Sequence, residues 1–323
     1  MNKAAVAIFA ILFWTLSAQG NVSAQLVRVG YSGTGSVRIL QRFIHGEKLW
    51  VKRGLDVKHI YFNSGSLMSQ AMIGGDIVLS DSDIPAMLSL AVSGILDAKV
   101  VAITENKLEH FFVARKNIAR VEDLKGKRLA ISRFGSASDT VTRMVMRAWK
   151  LDPDTDVIIL QTGNTPSRIA ALVGGSVDGA LVSPDFVNRI IATGCCRALA
   201  DLSELPMDFA RYGIVAPAAI IKSNRPLVLN YLAAIAEGLP KFKVMPKEAM
   251  AAIKAEGEVG DEIKETYERM KKLMKEDIMP EKKGIQSVLD SLANPKARKI
   301  SPESLMDTSL LEELKSKGFG TKY

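Results

Sequence analysis

Ala71-Met72-Ile73-Gly74-Gly75-Asp76 closes one stretch of this chain, and Ala171-Leu172-Val173-Gly174-Gly175 closes another about 100 residues further on. The likeness extends in both directions. Upstream, Asn63-Ser64-Gly65-Ser66 matches Gly163-Asn164-Thr165, and each follows an apolar run of strand character. Downstream, Ile77-Val78-Leu79 and the polar Ser80-Asp81-Ser82 match Val177-Asp178-Gly179-Ala180-Leu181-Val182 and Ser183-Pro184-Asp185. One step earlier, Val27-Arg28-Val29-Gly30 leads into Ser32-Gly33-Thr34-Gly35-Ser36. Leu129-Ala130-Ile131 likewise leads into Phe134-Gly135-Ser136-Ala137-Ser138. Two β-α-β-α-β units predict two similar lobes. Glycines and small polar residues recur where strands end and helices begin, which is where open parallel sheets bind ligands.

The first residues read as an address. Lys3 precedes an apolar stretch at 4–16, and Val22-Ser23-Ala24 fits a small-residue cleavage site, so residues 1–24 are expected to be a signal peptide. No later run reaches membrane-span length. Net charge is +8, from 43 basic and 35 acidic residues, but no basic-aromatic stripe accompanies it, so a nucleic-acid partner is not expected. Cys195 and Cys196 are adjacent and cannot supply a disulfide framework; the expectation is two small residues packed beside Gly194, and whether they bridge is left open.

Strands are predicted at 26–31, 57–62, 77–80, 100–104 and 111–114 in the first half. The second unit starts at 129. Extended segments return at 212–216 and 218–221, and the chain beyond 226 is almost wholly helical. Alternating strands and helices imply an α/β fold with mostly parallel sheets flanked by helices. The chain crosses between lobes near 110–114 and returns near 212–218. Lobe one is therefore expected at 25–110 plus 216–323, and lobe two at 111–215.

Helix N-termini with free N–H groups bind anions. Gly135, Ser136, Ala137 and Ser138 form the best such seat in the second unit, with Arg133 as a partner for a carboxylate and Phe134 as a wall. In the first unit Ser32, Gly33 and Thr34 can do the same. Ser64, Gly65, Ser66 and Ser80, Asp81, Ser82 lie at the next strand ends, and Asn164 and Ser183 are their counterparts. Tyr31 and Tyr212 are candidates to stack on a ligand. His45, His59 and His110 sit apart, none flanking a nucleophile, so no catalytic residue, cofactor or metal site is expected.

Gly54-Leu55-Asp56-Val57, Ser64-Gly65, Gly74-Gly75-Asp76, and Asp123-Leu124-Lys125-Gly126-Lys127-Arg128 before Phe134-Gly135-Ser136 together resemble the periplasmic solute-binding proteins of ABC importers, of the nitrate, sulfonate, taurine and thiamine-precursor type. The resemblance runs from 27 to about 231. It implies the two-lobe type II fold, a periplasmic location and an ABC permease as partner; a monomer is expected, and the helix-start loops with Arg133 set the expectation of a small organic, acidic ligand. Relatives of this type often carry an aromatic residue before the acidic-Pro turn. Here that turn is Leu181-Val182-Ser183-Pro184-Asp185, which leaves the ligand open between acidic and largely apolar. An exported enzyme or signalling receptor on the same scaffold, similar to thiamine-precursor synthases, is the alternative.

Overall fold

In the computed structural model residues 24–33 and 35–319 are described. The expected signal peptide, except Ala24, lies outside those residues, as does Thr34. The first unit runs β1 (Gln25–Ser32), α1 (Ser36–Gly46), β2 (Leu55–Phe62), α2 (Gly65–Ile73), β3 (Leu79–Asp83), α3 (Ile84–Ser93) and β4 (Ala98–Glu105). After a crossing strand, β5 (Phe111–Arg115), the second unit runs β6 (Arg128–Ile131), α4 (Ala137–Ala148), β7 (Ile158–Gln161), α5 (Thr165–Val173), β8 (Gly179–Val182), α6 (Pro184–Ala192) and β9 (Cys196–Asp201). The chain returns through β10 (Tyr212–Pro217). It ends in α7 (Ala218–Ser223), α8 (Arg225–Val244), α9 (Pro246–Lys254), α10 (Glu262–Leu273), α11 (Lys282–Ser291) and α12 (Ser309–Ser316).

The duplication in the sequence becomes a duplication in topology. One sheet has the order β2-β1-β3-β10-β4 and the other β7-β6-β8-β5-β9. In each, two parallel pairings are followed by the crossing strand, which enters antiparallel in fourth place. Each lobe thus lends one strand to the other's sheet, and the segments leading into β5 and β10 join the lobes. The boundary expected at 215/216 falls inside β10, all of which pairs in the first sheet.

Two local expectations need correction. Ser80, Asp81 and Ser82, read as a polar turn, are the interior of β3 and are fully buried. Their polar groups have partners: Ser80 Oγ donates to Met68 Sδ (3.6 Å), and Asp81 Oδ2 accepts from Tyr231 OH (2.5 Å). Ser82 Oγ accepts from the Ser32 amide (2.8 Å). A polar strand is tolerated in a core when every group is bonded. Residues 218–221, read as extended, form the first turns of α7. Pro217 has no N–H to continue the ladder, and the sheet stops there. Cys195 and Cys196, whose bridging the sequence leaves open, are joined as a disulfide, and Cys196 is buried. The pair lies where Gly194, at φ +72°, turns the chain out of α6 into β9.

The first sheet packs under α1 and the long α8, whose Tyr231, Leu232 and Ile235 are fully buried against Val27, Val29 and Trp50. A second apolar cluster crosses between the lobes. In it Phe112 of β5 and Val141 and Val145 of α4 meet Met87 of α3 and Ile285, Val288 and Leu289 of α11. No helix among the described residues is long and apolar enough to cross a membrane.

The crossing strand β10 leaves no room for a side chain at Gly213. A Cβ there would sit 2.1 Å from the Ala102 carbonyl oxygen, a backbone atom held in the β4 ladder. Overpacking of this kind costs about 1–3 kcal/mol or more. Gly213→Ala should therefore lower the urea midpoint with little change in m-value. An unchanged midpoint would show that β10 is not locked against β4.

Candidate functional site

The ends of the parallel strands of both sheets face each other across a cleft. Ser32 and Gly33 follow β1, and Ser64 and Gly65 follow β2. Opposite them lie Ser132 after β6 and Asn164 and Thr165 after β7. Together they enclose a cavity of about 50 Å³. One water needs about 10–15 Å³ on this measure, so the space suits a compact ligand. The lobes touch at its rim: Asn164 Nδ2 donates to Asn63 Oδ1 (3.3 Å) and to Tyr61 OH (3.5 Å).

Helix starts supply part of the wall. Ser64 caps α2, its Oγ accepting from the Leu67 amide (3.3 Å), and Asn164 caps α5 by accepting from the Ser167 amide (3.2 Å). Gly65 packs so tightly that a Cβ would lie 2.3 Å from Asp83 Oδ2. Asp83 itself caps α3 through the Ala86 amide (3.1 Å) and accepts from Ser32 Oγ (3.1 Å).

Two buried arginines give the cavity its charge. Arg168 of α5 is anchored by three neutral acceptors. Its Nε donates to the Leu181 carbonyl (3.2 Å), Nη1 to the Gly163 carbonyl (3.1 Å) and Nη2 to Thr165 Oγ1 (2.9 Å). Burial and then the nearby charge of Arg211 depress its pKa to about 10, which leaves it protonated at neutral pH. Arg211, directly before β10, lies over the Tyr212 ring at 4.1 Å and donates from Nη2 to Tyr212 OH (3.0 Å). Its Nη1 is 3.9 Å from Asp83 Oδ1, an ion-pair distance too long for a hydrogen bond. Nε and Nη1 of Arg211 are buried with no hydrogen-bond partner, and so is Nδ1 of His110, directly before β5. His110 is held neutral by burial first, then by the charges of Arg211 and Arg168. Unsatisfied buried donors are costly, and two guanidinium charges in one low-dielectric cavity repel. An acceptor carrying negative charge answers both.

Of the residues singled out from sequence, Ser32, Gly33, Ser64, Gly65, Ala137, Ser138, Asn164, Ser183 and Tyr212 line this cavity. Others lie elsewhere. Tyr31 packs on Tyr61 (5.5 Å) and faces a separate groove with His59 and Glu256. Ser66 contacts Ser64 Oγ (3.3 Å) outside the cavity. Ser80, Asp81 and Ser82 belong to the buried strand. Arg133 and Phe134 are exposed, and Gly135 gives its amide to Asp139 Oδ2 (2.9 Å). Ser136 is the N-cap of α4, with Oγ accepting from the Asp139 amide (3.4 Å) and from Ser132 Oγ (2.8 Å).

Sequence reasoning passed over Arg168 and Arg211, yet both left a trace. Arg168 occupies the place in the second copy where the first has Met68, which is wholly buried. An arginine at a core position of a repeat marks a pocket. Arg211 and His110 are the residues immediately before the two crossing strands, so the repeat aims a polar side chain into the cleft from each.

This geometry defines a class: a two-lobe α/β clamp with its site between the strand ends. Chains of known structure share it. The alkanesulfonate-binding protein SsuA of Xanthomonas axonopodis pv. citri, bound to MOPS, matches with TM-score 0.69 at 16% identity over 87% of this chain and 96% of that one. The periplasmic nitrate-binding protein NrtA of Synechocystis PCC 6803 matches with TM-score 0.71 at 12% identity, covering 91% of this chain and 89% of that one. Residues 49–249 match the family described as NMT1/THI5 like, and the chain belongs to that family. The taurine-binding periplasmic protein of Escherichia coli K12 is 29% identical over 147 residues, 45% of this chain and 43% of that protein. The chain therefore aligns with less than half the length of the curated relatives it matches.

Ser136 serves its own helix, so Ser136→Ala should cost about 1 kcal/mol of stability. A melting temperature equal to the parent's would show that the cap is dispensable.

Proposed function

We propose that this chain is an exported receptor that captures a compact organic anion between its lobes and passes it to an ABC permease. One observation carries the reading: Arg211, which has two buried donors without a hydrogen-bond partner, lines the same cavity as a second arginine. The named ligands of similar proteins, taurine, alkanesulfonate and nitrate, all present a compact oxyanion. A periplasmic setting rests on the names of those relatives and on the apolar leader-like stretch at 4–16.

Closure follows from the same charges. Arg168 belongs to the second lobe, and Arg211 is paired through β10 with the first. Bringing them together without a counter-charge is opposed by Coulomb repulsion in a low-dielectric space. An anion between them reverses the sign, so it stabilises the closed form over the open one.

A thermal-shift screen tests this with ethanesulfonate, taurine, nitrate and acetate against neutral sugars and organic cations. A ligand at 100 times its Kd should stabilise the protein by about 2.7 kcal/mol. Arg168→Met, which installs the residue of the matching position in the first copy, should weaken anion binding at least tenfold, about 1.4 kcal/mol, while the protein stays folded. Shifts produced only by cations or sugars would overturn the anion reading.

A further inference from the structure

Behind the cavity wall lie two carboxyls that do not touch the cavity. Glu105 ends β4 and Glu109 lies in the segment leading to β5. They are 3% and 6% exposed, and the Arg211 amide donates to the Glu105 carbonyl (3.1 Å). Glu105 Oε2 has no hydrogen-bond partner. Both carboxyls act on Arg211 electrostatically, and Arg211 is the cavity-lining residue whose Nε and Nη1 have no hydrogen-bond partner.

We infer that Glu105 and Glu109 set the charge of the anion seat: the anion enters while both are protonated, ionisation of one removes the net positive charge, and ionisation of both turns the site against it. The inference rests on the anion reading above. With both carboxyls neutral, the buried set of Arg168, Arg211 and Asp83 carries one net positive charge, which an anion cancels. With both ionised, the same set is already negative, and a further anion would be buried against like charge.

The surroundings favour the protonated form. The Glu105 pKa is pushed up to about 8, by burial first and then by Glu109, with Arg211 pulling the other way. Burial raises Glu109 too, against Arg211 and Arg269 of α10. On its far side Glu109 borders a small space with Asp185 of α6 and Glu258, so the groups beyond Arg269 are acidic as well. Tyr212 faces both carboxyls, and His110 is neutral, so neither supplies a counter-charge.

The sign follows from linkage. If an anion binds the protonated form, its affinity falls by up to about tenfold per pH unit as pH rises through the Glu105 value of about 8. Ethanesulfonate and nitrate stay ionised throughout, so the slope belongs to the protein. Calorimetry with each between pH 6 and 9.5 should show that fall in the parent and a flat profile in the double variant Glu105→Gln, Glu109→Gln. The carboxyl ¹³C resonance of Glu105 should titrate near pH 8 in the parent, a readout that does not depend on the variant folding. Anion binding with a flat profile in the parent, or a Glu105 carboxyl titrating below pH 6, overturns this inference and leaves the anion reading intact. Failure of both anions to bind at every pH overturns the anion reading and this inference with it.

Discussion

Two guanidinium groups buried on opposite sides of one cleft are the constraint on which this molecule turns. A buried charge must be met by an opposite charge or a full set of acceptors, or the fold carries an electrostatic penalty of several kcal/mol. Arg168 has its acceptors from its own lobe. Arg211 has only part of its set, and its nearest carboxylate, Asp83, stands 3.9 Å away. The remaining demand lies in the wall of the cavity, which Arg211 lines. The two-lobe architecture matters because it brings these groups together only where the strand ends of both sheets meet.

The architecture itself comes from repetition. Two units with the same strand order exchange their crossing strands, and the exchange puts His110 and Arg211 at equivalent places at the back of the cleft. Function then comes from where the copies differ. Met68 fills the core of one lobe, and Arg168 at the matching position charges the wall of the other. Ser64 and Asn164 cap equivalent helices, and Asn164 also reaches Asn63 across the rim. Chemistry has been placed on one copy at positions that the other keeps for packing.

The fold was legible because glycine and small-residue punctuation repeats at a fixed distance, and strand-helix alternation leaves few topologies. The cleft was legible to the same extent, since Ser64, Asn164, Ser138 and Tyr212 sit at strand ends that the repeat locates. Burial was not legible. Ser80, Asp81 and Ser82 look like a turn by composition, and only tertiary partners such as Tyr231 and Met68 make them a strand. Arg133 looks like an anion partner by proximity in sequence, but its turn carries it to the surface. Arg211 lies at no helix start, its one trace in the sequence is its place directly before a crossing strand, and its role emerges only when β10 joins the first sheet.

The central claim is that Arg168 and Arg211 seat an anion between the lobes. A crystal structure of the protein grown with ethanesulfonate tests it most directly. The account places the sulfonate oxygens within hydrogen-bond distance of Arg211 Nε and Nη1, facing Arg168, with the lobes closed around them. A sulfonate seated at Arg133 and Phe134, or in the outer groove beside Tyr31 and His59, with Arg211 still without an acceptor, would contradict it.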